Sequence, residues 1–138
     1  MDVKIGQLAK MTGCQPETIR FYEQKGLLQP PTRLDNNYRV YGGTHVERLH
    51  FIRRCRALGI SLDEIGALLG FRDRPDEPCV GVNNLLDQHI GEIDRQVTEL
   101  QALQAELTRL RSRCHATCAT SECQILKGLA DGGATAVR

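Results

Sequence analysis

Residues 3–26 read VKIGQLAKMTGCQPETIRFYEQKG, and this stretch decides the fold. The apolar residues of its first half fall on one face of a short helix: Ile5, Leu8 and Ala9. Gly13 ends that helix, Pro16 suits the first turn of a second one, and Gly26 closes the second. Two short helices separated by a turn that contains Gly are typical of a helix-turn-helix.

The residues that follow predict a β-hairpin. Pro30 and Pro31 stop any helix, and the sequence 35–37, DNN, favours a turn. The turn is followed by the short β-like segment 38–41, YRVY. A hairpin directly after a helix-turn-helix is the wing of a winged helix, so an all-α fold with a small β wing is expected.

Two capping boxes predict two further helices. The sequence 44–47, THVE, opens the first of them, and Gly59 ends it. The sequence 61–64, SLDE, opens the second, and Gly70 ends it.

Residues 81–112 predict one long helix, because they contain no Pro and their apolar positions repeat close to a heptad. These positions are Leu86, Ile90, Ile93, Val97, Leu100, Leu103, Leu107 and Leu110. A helix of about 30 residues spans roughly 45 Å, more than the width of a domain this small. The stripe therefore needs a partner helix, and a second copy of the chain in a two-fold dimer is the simplest source. The alternative is that the helix folds back on residues 1–70.

Composition and motifs exclude several classes. The chain has 138 residues, no Trp and only 4% aromatic residues, which argues against an aromatic-rich enzyme core. It has no Gly-rich phosphate loop, no G-x-S-x-G and no H-E-x-x-H, so no catalytic residue is assigned and the chain is not expected to be an enzyme. No segment has the length and apolarity of a membrane span or a signal peptide. The expected location is the cytoplasm, without a membrane partner.

Charge is concentrated in the first half of the chain. Residues 20–56 carry a net charge of +5, whereas residues 79–138 carry −1. Arg and Tyr side chains that suit phosphates and base edges lie on the second helix and on the wing: Arg20, Tyr22, Arg33, Tyr38, Arg39 and Tyr41. This pattern predicts double-stranded DNA as the partner. The alternative is a solvated charged face with Tyr38 and Tyr41 in the core.

Five of the six cysteines form two groups, and Cys79 stands apart from both. Cys14 and Cys55 lie in amphipathic helical patterns and are expected to be small buried hydrophobes. The segment 114–123, CHATCATSEC, is polar and turn-like. In a reducing compartment such a cluster favours metal binding over disulfides. A redox-active or incidental thiol cluster is the alternative.

The spacing of three cysteines suggests how a metal site forms. Cys79 precedes the long helix and Cys114 and Cys123 follow it, so Cys79 and Cys114 would lie about 50 Å apart within one chain. In an antiparallel dimer, Cys79 would instead meet the partner's Cys114 and Cys123. Three thiolates suit Pb(II) or Hg(II), and a fourth ligand such as Cys118, His115 or water would suit Cd(II) or Zn(II).

Taken together, these motifs resemble the MerR family of metal-responsive transcription regulators over residues 3–130. The resemblance is carried by IGQLAKMTG, ETIRFYEQKGLL, NNYRVYG, HVERLHFIRRCRALGISLDEI and the C-terminal cysteines. PDEPCVGVNNLLDQHI is similar to the corresponding segment of the lead- and cadmium-responsive branch.

The resemblance implies a homodimer, held by a long antiparallel coiled coil, on a two-fold promoter with an overlong spacer. Without metal the promoter would be repressed. Bound Pb(II) or Cd(II) would distort the DNA so that RNA polymerase opens it. The implied metal ligands are Cys79, Cys114 and Cys123. Cys118 is an extra thiol within this segment, so the alternative is that the inducer is Zn(II) or Hg(II). The implied DNA contacts are Thr18, Arg20, Tyr22, Arg33, Tyr38 and Arg39.

These elements divide the chain into three expected parts. Residues 1–75 form the winged helix-turn-helix domain, and residues 76–113 form a linker and the coiled-coil dimerisation helix. Residues 114–138 form the metal-binding loop, a short helix and a tail. The competing functions are a metal-buffering or thiol-redox protein without a DNA role, and a sensor of an organic ligand.

Overall fold

The computed structural model describes residues 2–36, 38–115, 117 and 119–131. Its elements, in chain order, are α1 (Ile5–Thr12), α2 (Pro16–Gln24), β1 (Thr32–Arg33), β2 (Arg39–Val40), α3 (Gly43–Ala57), α4 (Leu62–Arg72), α5 (Val80–Arg111), a 3-10 turn (Thr120–Glu122) and α6 (Gln124–Asp131). The predicted fold class, all-α with a two-stranded wing and one long helix, is confirmed. Cys118 and the C-terminal tail lie outside the described residues.

The chain forms two compact units, Met1–Asp87 and Gln88–Arg138. The first unit has a single core to which all four short helices contribute, with side chains that are almost completely buried: Leu8, Ile19, Leu49, Ile52, Ile65 and Leu69. Cys14 and Cys55 belong to this core, as predicted. Burial raises the pKa of the Cys55 thiol, which suits a packing role.

The turn of the helix-turn-helix depends on Gly13. Its φ of +74° is left-handed, and its N–H donates to the Ala9 carbonyl at 2.8 Å. The Arg53 guanidinium of α3 lies where a Cβ on Gly13 would be, and it donates to the Thr12 carbonyl. The end of α1 is therefore capped both by the turn and by a side chain from α3.

The wing is a short antiparallel hairpin in which Thr32 pairs with Val40 and Arg33 with Arg39. The residue after β2, Tyr41, pairs with Val3 instead, through two backbone hydrogen bonds of 2.9 and 2.8 Å. The wing predicted from the sequence is confirmed, and an isolated bridge between Val3 and Tyr41 adjoins it.

Tyr41 also ties the wing to the helix-turn-helix. Its side chain is fully buried, and its hydroxyl donates to Glu23 Oε2 on α2 at 2.8 Å. Its ring meets His45 on α3 edge-on, with 5.0 Å between the ring centroids. One residue thus joins the wing, α2 and α3.

The start of α3 differs from the predicted capping box. The helix begins at Gly43, and the Gly42 N–H donates to His45 Nδ1 at 3.0 Å, the role that Glu47 was expected to fill. The His45 ring is buried and its Nε2 lies 3.3 Å from the Pro30 carbonyl, so a tertiary contact fixes this helix start. The Thr44 hydroxyl accepts from Gln29 Nε2 instead of capping the helix.

The second capping box is confirmed, but the end predicted for α4 is wrong. Ser61 and Glu64 exchange hydrogen bonds of 2.9 and 3.2 Å between side chain and backbone. The helix then continues through Gly70 to Arg72. Phe71 packs against the core, and this burial favours the two helical residues beyond the glycine.

α5 is one continuous helix of 32 residues, as predicted. The apolar stripe is exposed at Leu86, Ile90, Ile93, Val97, Leu100, Leu103 and Leu107, with Leu100 and Leu107 65% and 64% exposed. Within the first unit, two α5 residues that the heptad pattern omitted, Val82 and Leu85, pack against the core. Across the described residues, no helix is both long and apolar enough to span a membrane.

The Tyr41 anchor leads to a stability prediction. Tyr41→Phe keeps the buried ring but removes the hydroxyl that binds the Glu23 carboxylate, so the free energy of unfolding should fall by about 1–2 kcal/mol in a urea titration. Tyr38→Phe is the matched control, because Tyr38 is 53% exposed. Its free energy of unfolding should change by no more than about 0.5 kcal/mol. Equal losses from the two variants would contradict the anchor.

The same anchor has a pH dependence. Burial, together with the hydrogen bond and charge of Glu23, raises the pKa of Tyr41 to about 12. The neutral phenol therefore stabilises the fold fully below pH 10, and this contribution is lost as the pH rises from 10 to about 12. The wild type should lose more stability over this range than Tyr41→Phe does.

Candidate DNA interface and metal site

Most of the residues predicted to contact DNA lie at the surface of the first unit. Arg20 of α2 is exposed and Thr18 is half-buried, and they flank the core side chain Ile19 in sequence. On the wing, Arg33 and Arg39 are exposed and Tyr38 projects into solvent. Lys4 Nζ lies 4.4 Å from the centroid of the Tyr38 ring and adds a positive charge that sequence reasoning missed.

Tyr22 differs from the other predicted DNA contacts, because it is only 7% exposed and belongs to the core cluster. Burial raises the pKa of its phenol, and the neighbouring Cys14 raises it further. The residue also lines an open pocket of about 270 Å³, together with Thr18 and Arg56. The Tyr22 ring therefore packs in the core, and the predicted DNA contact of Tyr22 stays a prediction.

Part of the positive charge is structural. Arg48 Nε donates to the Leu27 carbonyl at 2.7 Å, and its Nη1 forms an ion pair of 3.1 Å with Asp73. Arg53 caps α1, as described above, and Arg56 Nη1 donates to the Ile60 carbonyl at 3.4 Å. Charge counting along the sequence could not separate Arg48 and Arg53 from Arg20 and Arg39, because the backbone carbonyls that they bind are distant in sequence.

Cys79 lies in the first unit, directly before α5. Its side chain is exposed, and its carbonyl accepts the Asn83 N–H at 3.0 Å. The Asn83 side-chain amide lies 4.0 Å from its sulfur. The thiol is thus held at the first turn of the long helix and open to a ligand from outside the unit.

Cys114 and Cys123 lie together in the second unit. Cys123 directly precedes α6, and its carbonyl accepts the Lys127 N–H at 3.1 Å. The Leu126 N–H lowers the pKa of the Cys123 thiol, with smaller contributions from the Ile125 N–H and from the Cys114 thiol, which donates to it. Two of the three predicted metal ligands are therefore neighbours at the beginning of a helix.

Close packing holds α6 in this position. The Arg113 guanidinium occupies the place where a Cβ on Gly128 would be, and Leu110 Cδ2 lies 3.3 Å from it. Arg111 Nη1 donates to the Cys114 carbonyl at 2.8 Å. Gly128 and the two arginines thus shape the cysteine segment, although the sequence pattern gave them no role.

The sequence offered two further candidates for a fourth metal ligand. His115 is exposed, and Cys118 lies outside the described residues.

Comparison with known proteins agrees with this architecture. The family described as "MerR HTH family regulatory protein" matches residues 3–70, and that described as "MerR, DNA binding" matches residues 46–110. The HTH-type transcriptional regulator ZntR homolog of Haemophilus influenzae is 45% identical over 111 residues, which are 80% of this chain and 82% of that protein.

Two solved structures are similar over nearly the whole chain. The transcription regulator PbrR691 from Ralstonia metallidurans CH34, in complex with lead(II), is 46% identical with a TM-score of 0.84 and covers 92% of this chain and 98% of its own. MerR from Bacillus megaterium MB1, in complex with mercury(II), is 35% identical with a TM-score of 0.74, over 94% and 100% of the two chains. The chain therefore belongs to the MerR family, as a metal-responsive DNA-binding transcription regulator and not an enzyme.

Proposed function

We propose that this regulator is a homodimeric sensor that represses its promoter without metal and activates it when Pb(II) or Cd(II) binds cysteine thiolates. The observation that carries this proposal is the pairing of Cys114 and Cys123 before α6, with Cys79 before α5. A metal-buffering or thiol-redox protein without a DNA role is set aside, because the family is one of DNA-binding regulators.

The exposed stripe on α5 supports the dimer. Burying a large apolar side chain stabilises an assembly by about 1.5–3 kcal/mol, and seven such side chains of the stripe are exposed in the single chain. A second α5 in antiparallel orientation presents the same stripe and would cover it along its length. Residues 76–113 would then be the dimerisation segment, between the DNA-binding domain 1–75 and the metal-binding segment 114–138.

An antiparallel pair also explains the cysteine spacing. A helix of 32 residues is about 48 Å long, with Cys79 before its first turn and Cys114 after its last. Reversing one copy would bring Cys79 of one protomer to Cys114 and Cys123 of its partner. Each dimer would then hold two metal sites, each built from both subunits.

The ligand set favours a soft or borderline ion. Thiolates select such ions over Mg²⁺ or Ca²⁺, and three of them suit Pb(II) without a further ligand. Similarity to a lead(II)-bound regulator supports Pb(II), with Cd(II) as its companion. Similarity to a mercury(II)-bound one keeps Hg(II) as the second candidate, and Zn(II) requires a fourth ligand such as Cys118.

DNA would be bound by α2 in the major groove and by the wing on the flanking backbone. Thr18 and Arg20 would contact DNA from α2, and Arg33, Tyr38 and Arg39 from the wing. Tyr22 would support α2 from the core, and only its end at the pocket would be within reach of a phosphate. Metal would bind one arrangement of the two DNA-binding domains more tightly, and this difference would distort the promoter spacer for RNA polymerase in the cytoplasm.

The DNA assignment predicts different effects for two arginines. Arg20→Ala should weaken binding to a two-fold promoter site by about 1–3 kcal/mol and relax sequence preference, because a base-edge contact is lost. Arg39→Ala should weaken binding to all sequences alike and reduce the salt slope by about 1. Fluorescence anisotropy at several salt concentrations measures both effects.

The control for this experiment is Arg109→Ala. Arg109 is exposed in the last turn of α5, and its removal deletes the same charge away from the proposed interface. Unchanged DNA affinity in Arg20→Ala would show that α2 is not the recognition helix.

The metal assignment predicts which thiols matter. In the reduced protein, each of three variants should weaken Pb(II) binding by more than about tenfold: Cys79→Ser, Cys114→Ser and Cys123→Ser. Thiolate-to-metal absorption measures this binding. Cys14→Ala removes a buried thiol and should leave affinity unchanged. A response to an organic ligand that persists in Cys79→Ser would overturn the metal assignment.

Cys118→Ser separates the candidate ions in the same titration. Unchanged Pb(II) and Cd(II) binding would assign a three-thiolate site. Loss of Cd(II) or Zn(II) binding with Pb(II) binding retained would assign a fourth thiolate and a broader sensor.

A further inference from the structure

We propose that the contact between Gly81 and the Phe71 ring is a joint that transmits metal occupancy at Cys79 to the DNA-binding domain. The proposal rests on the proposed function, because it takes Cys79 as a metal ligand. It assigns a positioning role to two residues that bind neither metal nor DNA.

The joint is a contact that glycine alone permits. Gly81 is the second residue of α5, and a Cβ built there would lie 2.6 Å from Phe71 Cε1 and 3.3 Å from Cε2. Real Cβ atoms do not approach an aromatic carbon to 2.6 Å, so a side chain at this position would push the ring away. The Phe71 ring therefore lies directly against the backbone at the start of α5.

Phe71 connects this contact to the core of the first unit. Its ring packs against the buried cluster, and so do Val82 and Leu85, which follow Gly81 on α5. Close-packed interiors pass a displacement to their neighbours, because they have little free volume to absorb it. The first turns of α5 are thus packed onto the DNA-binding domain at three positions.

The connection from α4 to α5 is tied down along its length. Arg48 of α3 forms an ion pair with Asp73 at 3.1 Å, and Arg74 forms one with Glu77 at 3.2 Å. The Arg74 guanidinium lies 5.6 Å from the Phe71 ring centroid, and the Arg74 N–H donates to the Phe71 carbonyl at 3.1 Å. The Glu77 N–H donates to the Arg74 carbonyl in turn. These contacts describe a folded turn, although the sequence predicted only a polar linker.

Cys79 is attached to the same joint. It lies two residues before Gly81, and its carbonyl accepts the Asn83 N–H at 3.0 Å. A metal ion that pulls the Cys79 sulfur toward the partner's thiolates would therefore move the first turn of α5 with it. The Gly81 backbone would carry this movement to Phe71 and the core, whereas a loose linker would absorb it.

The experiment uses the full-length reduced dimer on its promoter, with Cd(II) as the probe metal. Three quantities are measured: Cd(II) affinity by thiolate absorption, DNA affinity without metal, and the Cd(II)-dependent change in transcription in vitro. In Gly81→Ala we expect the first two to be unchanged and the third to fall by about tenfold, within the usual range of coupling between sites. Gly66→Ala is the matched control, because its Cβ meets only Leu27 Cδ2 at an ordinary 3.5 Å.

A rescue variant distinguishes coupling from simple damage. The Phe71 atoms that a Cβ on Gly81 would strike are Cε1, Cε2 and Cζ, all of which leucine lacks. Phe71→Leu in the Gly81→Ala background should therefore restore the Cd(II) response toward that of the wild type. Phe71→Leu alone leaves a gap at the joint and should weaken the response with Cd(II) affinity retained, so it carries the test even if Gly81→Ala fails to fold.

The outcomes separate this inference from the proposed function. A full Cd(II) response in Gly81→Ala, or in Phe71→Leu, would overturn the joint. If Gly81→Ala lost Cd(II) affinity together with the Cd(II) response, the proposed joint would also be overturned, because the damage would then lie at the metal site. A Cys79→Ser variant that still responds to Cd(II) would instead overturn the proposed function.

Discussion

The proposed function depends first on the exposed apolar stripe of α5. The stripe runs along a continuous helix of 32 residues and contains seven large apolar side chains that are more than about a third exposed in the single chain. The hydrophobic effect favours covering such a stripe, and the heptad spacing fits another helix best. In the proposed function, the dimer, the orientation of its two copies and the composition of each metal site would all follow from how that stripe is covered.

The DNA-binding part depends on a different kind of constraint. Each strand of its wing is only two residues long, so the hairpin is not stable by itself and needs contacts with the helices to fix its position. Tyr41 supplies that position through the Glu23 carboxylate, the His45 ring and the pairing with Val3. Arg53 does the same for the turn between α1 and α2. The charged and polar side chains of this part thus fall into two groups. Some, such as Arg53, stabilise the fold of the DNA-binding unit, and others, such as Arg20 and Arg39, are exposed at its surface.

Local signals could be predicted from the sequence wherever they depend on neighbouring residues. Gly13, Gly26 and Gly59 adopt the left-handed conformation expected beyond the helix ends, and the Ser61 capping box is formed as predicted. The Gly42–His45 cap and the extension of α4 past Gly70 depend on Pro30 and on the packing of Phe71, which no local pattern contains. The burial of Tyr22 could have been predicted from the sequence, because Tyr22 lies three residues after Ile19 on the same helix face. The pairing of Cys114 with Cys123 requires α6 to pack on Arg113, a contact between residues that motif reading left unassigned.

The measurement that most directly tests a metal site shared between subunits is the stoichiometry of a mixed dimer. One protomer carries Cys79→Ser and the other carries Cys123→Ser, with affinity tags that allow the heterodimer to be isolated. If each site combines Cys79 of one protomer with Cys114 and Cys123 of the other, one site loses both contributions and the second stays intact. The heterodimer should then bind one Pb(II) ion tightly, whereas each homodimeric variant binds none. If the heterodimer also binds none, each site is built within one chain, and the antiparallel arrangement with its shared metal centre is wrong.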